Sequence, residues 1–262
     1  MTLWSNDEFI LIVIDTAVNI DYALSPPRSI SDYSVSPGGD YLAFLLNSPT
    51  TNDLMLWDTS ILRNLSNTPN AIESVGLWSA NGQLAFTSCL NIYGDCELML
   101  WDRTTTYSLT DTIEASVGPY SYVWMDEQRL AFTACNATST VCDVFLWDAE
   151  TGPYSIASFD EFVTRLIANN NGELAFLVCK LEGYSICDIM VWDGETISNI
   201  TNTYPLSEGR WLSWSSDGRL VFDGEIGDEP ADIFVWDRAK FANLSNTPDI
   251  FEGNPAWSST DN

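Results

Sequence analysis

The sequence predicts an all-β fold built from one repeated four-stranded unit, and three observations predict it. The dipeptide Trp-Asp recurs at Trp57-Asp58, Trp101-Asp102, Trp147-Asp148, Trp192-Asp193 and Trp236-Asp237, at spacings of 44, 46, 45 and 44 residues. Each pair closes a short apolar run, such as Leu54-Met55-Leu56 or Val144-Phe145-Leu146, bounded by turn residues and therefore strand-like. A second anchor keeps phase 13 to 16 residues earlier: Leu42-Ala43-Phe44, Leu84-Ala85-Phe86, Leu130-Ala131-Phe132, Leu174-Ala175-Phe176 and Leu220-Val221-Phe222.

Four strands, A to D, follow from each repeat. Strand A ends near Trp78, Trp124 or Trp214, and a tight turn comes next (Asn81-Gly82, Asn171-Gly172, Asp217-Gly218). Asn-Gly and Asp-Gly supply the positive φ of a two-residue hairpin. Strand B carries the Leu-Ala-Phe anchor and strand C ends in Trp-Asp. Strand D runs into a polar turn, Asn64-Leu65-Ser66-Asn67-Thr68-Pro69 and again Asn243-Leu244-Ser245-Asn246-Thr247-Pro248. Four short strands in about 45 residues, repeated, is the arithmetic of a β-propeller. Nine of the eleven tryptophans fall in the five Trp-Asp pairs or at the strand-A position (Trp78, Trp124, Trp214, Trp257), which makes them blade-packing residues before they are a sugar-binding surface.

Blades 1 to 5 are complete over about 31–247. The sixth is expected to be shared between about 1–26 and 249–262. Met1-Thr2-Leu3-Trp4 supplies its B strand, Ile10 to Asp15 its C strand and Tyr22-Ala23-Leu24 its D strand, while Asn254 to Ser259 repeats the A strand seen at Leu212 to Ser216. The expected fold is thus one six-bladed propeller over 1–262, four antiparallel strands per blade. Pairing of the N- and C-terminal strands closes the ring and removes its exposed edges.

Composition narrows the function. Ten Lys and Arg stand against 37 Asp and Glu, a net charge of −27, so nothing is available to neutralise a nucleic-acid backbone. Histidine is absent, which removes the commonest general base and the commonest zinc ligand together. No apolar run approaches the roughly 20 residues of a membrane helix. The first residues lack the positive region of a signal peptide, which suggests a domain slice of a larger protein.

The pattern Trp-Ser-x-x-Gly-x-Leu-Ala-Phe, then Asp-Ile-x-Val-Trp-Asp, then Asn-Leu-Ser-Asn-Thr-Pro resembles the TolB-like six-bladed propellers, a PD40 or WD40-like repeat family, over nearly the whole chain. The WD40 family also ends its third strand in Trp-Asp. Its repeats usually carry a Gly-His dipeptide, however, and this chain has no histidine. The resemblance is specific for fold and weak for function.

Six cysteines form three pairs, Cys89/Cys96, Cys135/Cys142 and Cys179/Cys187. Each first member follows the Phe of the B anchor by three residues, and each second member precedes the Trp of Trp-Asp by five. The pairs therefore face each other across the B–C hairpin of three successive blades, within disulfide reach. Three such bridges argue for an oxidising, extracytoplasmic compartment, whether secreted, periplasmic or cell-surface. Sequons at Asn64, Asn136, Asn199 and Asn243 add little, because three of them are the strand-D motif itself.

For catalysis the inventory is thin: no Gly-x-Ser-x-Gly elbow, no triad histidine, and acids too numerous for a pair of them to be informative. The leading class is a non-catalytic binding or scaffold module with a protein or peptide partner, or a structural module of a larger surface or filament protein. The alternative is a carbohydrate-binding or glycan-active propeller. Arg165, Arg210 and Trp211 fall at the inner strands of two adjacent blades, where cations on so acidic a chain could receive a partner's carboxylate. Blade 5 lacks the cysteine pair, with Glu225 and Ala231 in its places. Its B–C loop gathers Asp223, Glu225, Asp228, Glu229 and Asp232, a set of oxygen donors suited to calcium, although solvated acid runs are the commoner case.

Overall fold

Alternating apolar residues pack one repeat against the next, and the strands fall where that alternation is strongest. A computed structural model describes residues 29–90, 96–136, 141–180, 187–201, 206–227, 229–247 and 249–258. It also describes the backbone of three earlier strands, β1 (Thr2–Ser5), β2 (Glu8–Val13) and β3 (Val18–Ile20).

Blade 1 comprises β4 (Ile30–Val35), β5 (Leu42–Asn47), β6 (Asn52–Trp57) and β7 (Leu62–Asn64). In blade 2 the A strand is broken into β8 (Ile72–Glu73) and β9 (Leu77–Trp78), followed by β10 (Leu84–Cys89), β11 (Cys96–Trp101) and β12 (Thr106–Ser108). Blade 3 holds β13 (Ser116–Trp124), β14 (Leu130–Cys135), β15 (Cys142–Asp148) and β16 (Gly152–Phe159). Blade 4 holds β17 (Phe162–Ala168), β18 (Leu174–Cys179), β19 (Cys187–Trp192) and β20 (Ile197–Asn199). Blade 5 holds β21 (Leu206–Trp214), β22 (Leu220–Ile226), β23 (Asp232–Trp236) and β24 (Phe241–Asn243). Every blade is an antiparallel sheet in the order A–B–C–D.

The core is a series of seams between neighbouring blades. Leu54 and Leu56 of blade 1 pack with Phe86 and Trp101 of blade 2, and Phe176 of blade 4 packs with Val144 and Leu146 of blade 3. Phe86, Phe132, Phe176 and Phe222, the anchor phenylalanines, are fully buried, each worth roughly 1.5–3 kcal/mol of transfer free energy. Successive A strands also touch (β9 on β13, β13 on β17, β17 on β21), so the fan narrows toward strand A.

Polar side chains recurring at fixed phase fix the turns. The Asp of each Trp-Asp accepts from the backbone N–H groups two and three residues on, as Asp102 does from Thr104 (2.9 Å) and Thr105 (2.8 Å). These bonds shape the C–D hairpin and lead in holding the carboxyls of Asp58, Asp193 and Asp237 below the usual range, while the hydroxyls of Thr104 and Thr151 lead at Asp102 and Asp148. In the polar turn after strand D, a hydroxyl caps strand C of its own blade. Ser66, Thr110, Thr201 and Ser245 accept from the N–H of Leu54, Leu98, Ile189 and Ile233 at 2.9–3.2 Å.

Blades are also joined through indoles. The A-strand tryptophan of one blade donates its Nε1–H to the A strand of the blade before: Trp78 to Ser34 Oγ (3.0 Å), Trp124 to the Leu77 carbonyl (2.9 Å) and Trp214 to the Ile167 carbonyl (3.4 Å).

All three cysteine pairs are bonded and sit directly opposite each other in register, with Cα–Cα separations of 3.9, 4.0 and 4.0 Å. The A–B turns differ from the two-residue expectation. In blade 2, Ser79 donates its N–H to Gln83 O (2.9 Å) and Gly82 donates to Ser79 O (3.0 Å), which leaves a three-residue loop. Only the glycines take positive φ there (Gly82 83°, Gly172 78°, Gly218 81°), whereas a type I′ turn would need it at the preceding Asn or Asp as well.

The N-terminal strands appear as B, C and D in the order β1-β2-β3. β3 pairs with β2 over Val18–Ile20, and Tyr22-Ala23-Leu24, the expected strand D, lie outside the described residues. Residues 249–258 form no strand, and among the described residues none of them pairs with β1. Trp257 nonetheless donates its indole N–H to the Ser213 carbonyl at 3.0 Å, the contact each preceding A-strand tryptophan makes. Leu244 and Ile250 are 59% and 57% exposed, whereas their blade 1 counterparts Leu65 and Ala71, covered by blade 2, are 7% and 3% exposed.

Candidate functional site

Every A strand loses its regular pairing at mid-length. The register shifts between Ile30 and Tyr33, between Val117 and Tyr122, between Thr164 and Ile167, and between Glu208 and Leu212. In blade 2 the strand breaks outright at Gly76, whose φ is +79° and where a Cβ would lie 2.5 Å from the Ala85 carbonyl oxygen. A bulge re-aims a side chain out of the pleat. Three places before the A-strand tryptophan, or its counterpart Val35 or Ala168, the six repeats present Asp32, Val75, Ser121, Arg165, Trp211 and Asn254.

Arg165 and Trp211 therefore occupy the same bulge in adjacent blades, and the structure brings them together. The Arg165 guanidinium lies 4.4 Å from the centre of the Trp211 ring. Both side chains are exposed, and Arg165 takes a left-handed backbone (φ 60°), which its bulge requires of a non-glycine residue. Arg165 makes no ion pair with a described residue. Arg63, Arg129, Arg219 and Arg238, in contrast, are held by Asp58, Asp126, Asp217 and Glu173. Trp211 is anchored from behind, donating its backbone N–H to Asp223 Oδ1 at 2.8 Å. Arg210 precedes it in β21, and its side chain lies outside those described.

The blade 5 acids are dispersed among other tasks. Asp223 is buried and carries the Trp211 bond. Asp232 accepts from Asn243 Nδ2 (2.7 Å), Ser245 Oγ (3.1 Å) and the Thr247 N–H (3.1 Å), and the Asn243 bond leads in lowering its carboxyl. Glu225 and Glu229 are exposed, and Asp228 lies outside the described residues. Among the described residues, no three Asp, Glu or Cys side chains come together as a metal ion would need.

Two buried acids, Glu73 and Glu173, escaped sequence reasoning. Glu73, 3% exposed, receives the hydroxyls of Thr68 and Ser88 on Oε1, while its Oε2 is buried without a partner among the described residues. Burial pushes its carboxyl up. Its backbone is clasped by Asn52, which accepts from the Glu73 N–H (2.6 Å) and donates to its carbonyl (3.1 Å). The available signal was the repeat of Glu nine residues after the turn asparagine, at Asn64/Glu73 and Asn243/Glu252. Glu252 likewise takes the Thr247 hydroxyl at 2.9 Å.

No protein-family model matches the chain, and no curated protein matches it. Solved structures do. The β-propeller domain of the trilobed protease from Pyrococcus furiosus aligns with 90% of the chain and 76% of its own length, at 13% identity and a TM-score of 0.52. Dipeptidyl peptidase 4 from Porphyromonas gingivalis aligns with 83% of the chain and 39% of its own length, at 13% identity and a TM-score of 0.64. An oligogalacturonate lyase solved with manganese aligns with 80% of the chain at 16% identity and a TM-score of 0.54, and the chain spans 63% of its length. At such identities the likeness is one of fold, a β-propeller.

Proposed function

We propose that this chain is an extracytoplasmic, non-catalytic binding propeller that receives a carboxylate of a protein or peptide partner on Arg165. The observation that carries the reading is the exposed guanidinium stacked on Trp211 at 4.4 Å without a carboxylate among the described residues. On a chain of net charge −27, a cation held over an indole and unpaired among the described residues is preorganised for an incoming anion. Three disulfides support the oxidising compartment. The absence of histidine from the chain, which removes the commonest general base, supports a binding role. The ring is proposed to have six blades, with β1–β3 and residues 254–258 forming the sixth. Support comes from the Trp257 bond to blade 5 and from the uncovered Leu244 and Ile250.

A peptide library with free C-terminal carboxylates, compared with the same peptides amidated, tests the carboxylate reading. Binding should favour the free acids by about tenfold or more and be lost in Arg165→Glu. Equal affinity for acids and amides, or unchanged binding by Arg165→Glu, overturns it.

A further inference from the structure

A concavity elsewhere in the molecule differs in chemistry from the Arg165 site. At the A–B turn end of blades 4 and 5, beside Trp257, lies a cavity of about 290 Å³. Its walls include Ala168, Asn170, Trp214, Ser216, Trp257 and Ser258, with Asn169, Ser213 and Ser215 completing them. None of these side chains is ionised, in a chain where acids outnumber bases by 37 to 10.

The repeat explains why space opens here. Strands β9, β13 and β21 end in Trp78, Trp124 and Trp214, whereas β17 ends in Ala168, so one wall of the cavity is a methyl group where the repeat would place an indole. The neighbouring rings are held in place: Trp214 is bonded to the Ile167 carbonyl and Trp257 to the Ser213 carbonyl, and Arg219 lies 4.6 Å over the Trp257 ring. Asn170 is exposed, and its amide makes no hydrogen bond with a described residue.

We infer that this cavity is a binding site for a neutral saccharide. Fixed indoles offer an apolar surface to the C–H face of a pyranose, and the amide and hydroxyls around them match its hydroxyl groups. The volume suits about one or two sugar rings. An anionic sugar would enter a field set by the surplus acids, and the Arg219 guanidinium over Trp257 is already paired with Asp217, so uronates are disfavoured. The site does not depend on the Arg165 reading, and the two can fail separately.

The test is titration calorimetry of the full chain with maltose, cellobiose, lactose and chitobiose, with digalacturonate as the charged comparison. Saturable binding of at least one neutral disaccharide is expected. Ala168→Trp, which restores the repeat's indole, should weaken it about tenfold or more, and so should Asn170→Ala, an exposed change that leaves the fold intact. Both variants should keep their melting temperature and their preference for free-acid peptides. Binding of digalacturonate alone, no heat with any of the four neutral sugars, or wild-type affinity in a folded Asn170→Ala overturns the assignment.

Discussion

Thr59 holds a φ of 71° in the C–D turn of blade 1, and Arg103 (81°) and Arg238 (75°) hold the same place in blades 2 and 5. Blade 4 puts Gly194 there, at 105°. The left-handed region brings Cβ against the following carbonyl, at a cost of roughly 1–2 kcal/mol, and β-branching makes threonine the worst placed of the three. Thr59→Gly should therefore raise the melting temperature by about 2–4 °C, the shift about 1 kcal/mol produces in a chain of this size. Gly194→Thr should lower it, and differential scanning calorimetry reads both. The reason these residues are tolerated lies one position earlier, where the aspartate carboxylate locks the turn from outside.

Those aspartates make the hairpins sensitive to acid. Backbone donors lead in lowering Asp58, Asp193 and Asp237, and threonine hydroxyls lead at Asp102 and Asp148. A carboxyl held lower in the folded than in the unfolded chain contributes stability that is fully present above the unfolded value. That stability is lost as the pH falls through the folded value. The C–D turns should accordingly weaken together below about pH 4. Overall repulsion relaxes over the same range, so the turn contribution is read as the difference in melting temperature between wild type and Asp102→Ala. That difference should be largest near pH 6 and shrink toward pH 2.5; a constant difference would show that the carboxylate charge is irrelevant to the turn.

The disulfides act at the same scale. Each closes a loop of seven or eight residues, worth about 2–3 kcal/mol in the chain-entropy model. Reduction should lower the melting temperature while leaving the strand signature in far-ultraviolet circular dichroism at room temperature. Strands B and C, the cysteine pairing and the placing of Arg165 and Trp211 in adjacent blades were legible in the sequence, because anchors repeat at fixed phase and phase fixes register; the contact between those two side chains was not. The A-strand bulges were not, since a bulge interrupts the very alternation by which a strand is read. Glu73 escaped because burial of an acid leaves no mark on periodicity.

Taken whole, the molecule keeps its strongest bonds inside blades and its apolar packing between them. The exposed Leu244, Ile250 and Phe251 mark where the series of seams stops among the described residues. Deleting residues 249–262 would remove the Trp257 contact with Ser213 and strip cover from blade 5. We expect a fall in melting temperature and self-association by light scattering; a truncated chain that melts like the parent would show that this segment closes nothing. The local disulfides have one more consequence. Because each bridge begins and ends within a single hairpin, no covalent link records which blade comes first. A gene encoding the same blades in another order, cut at a different A–B turn, would keep every bridge native. Lineages could likewise gain or lose one unit of about 45 residues without rewiring a single cysteine.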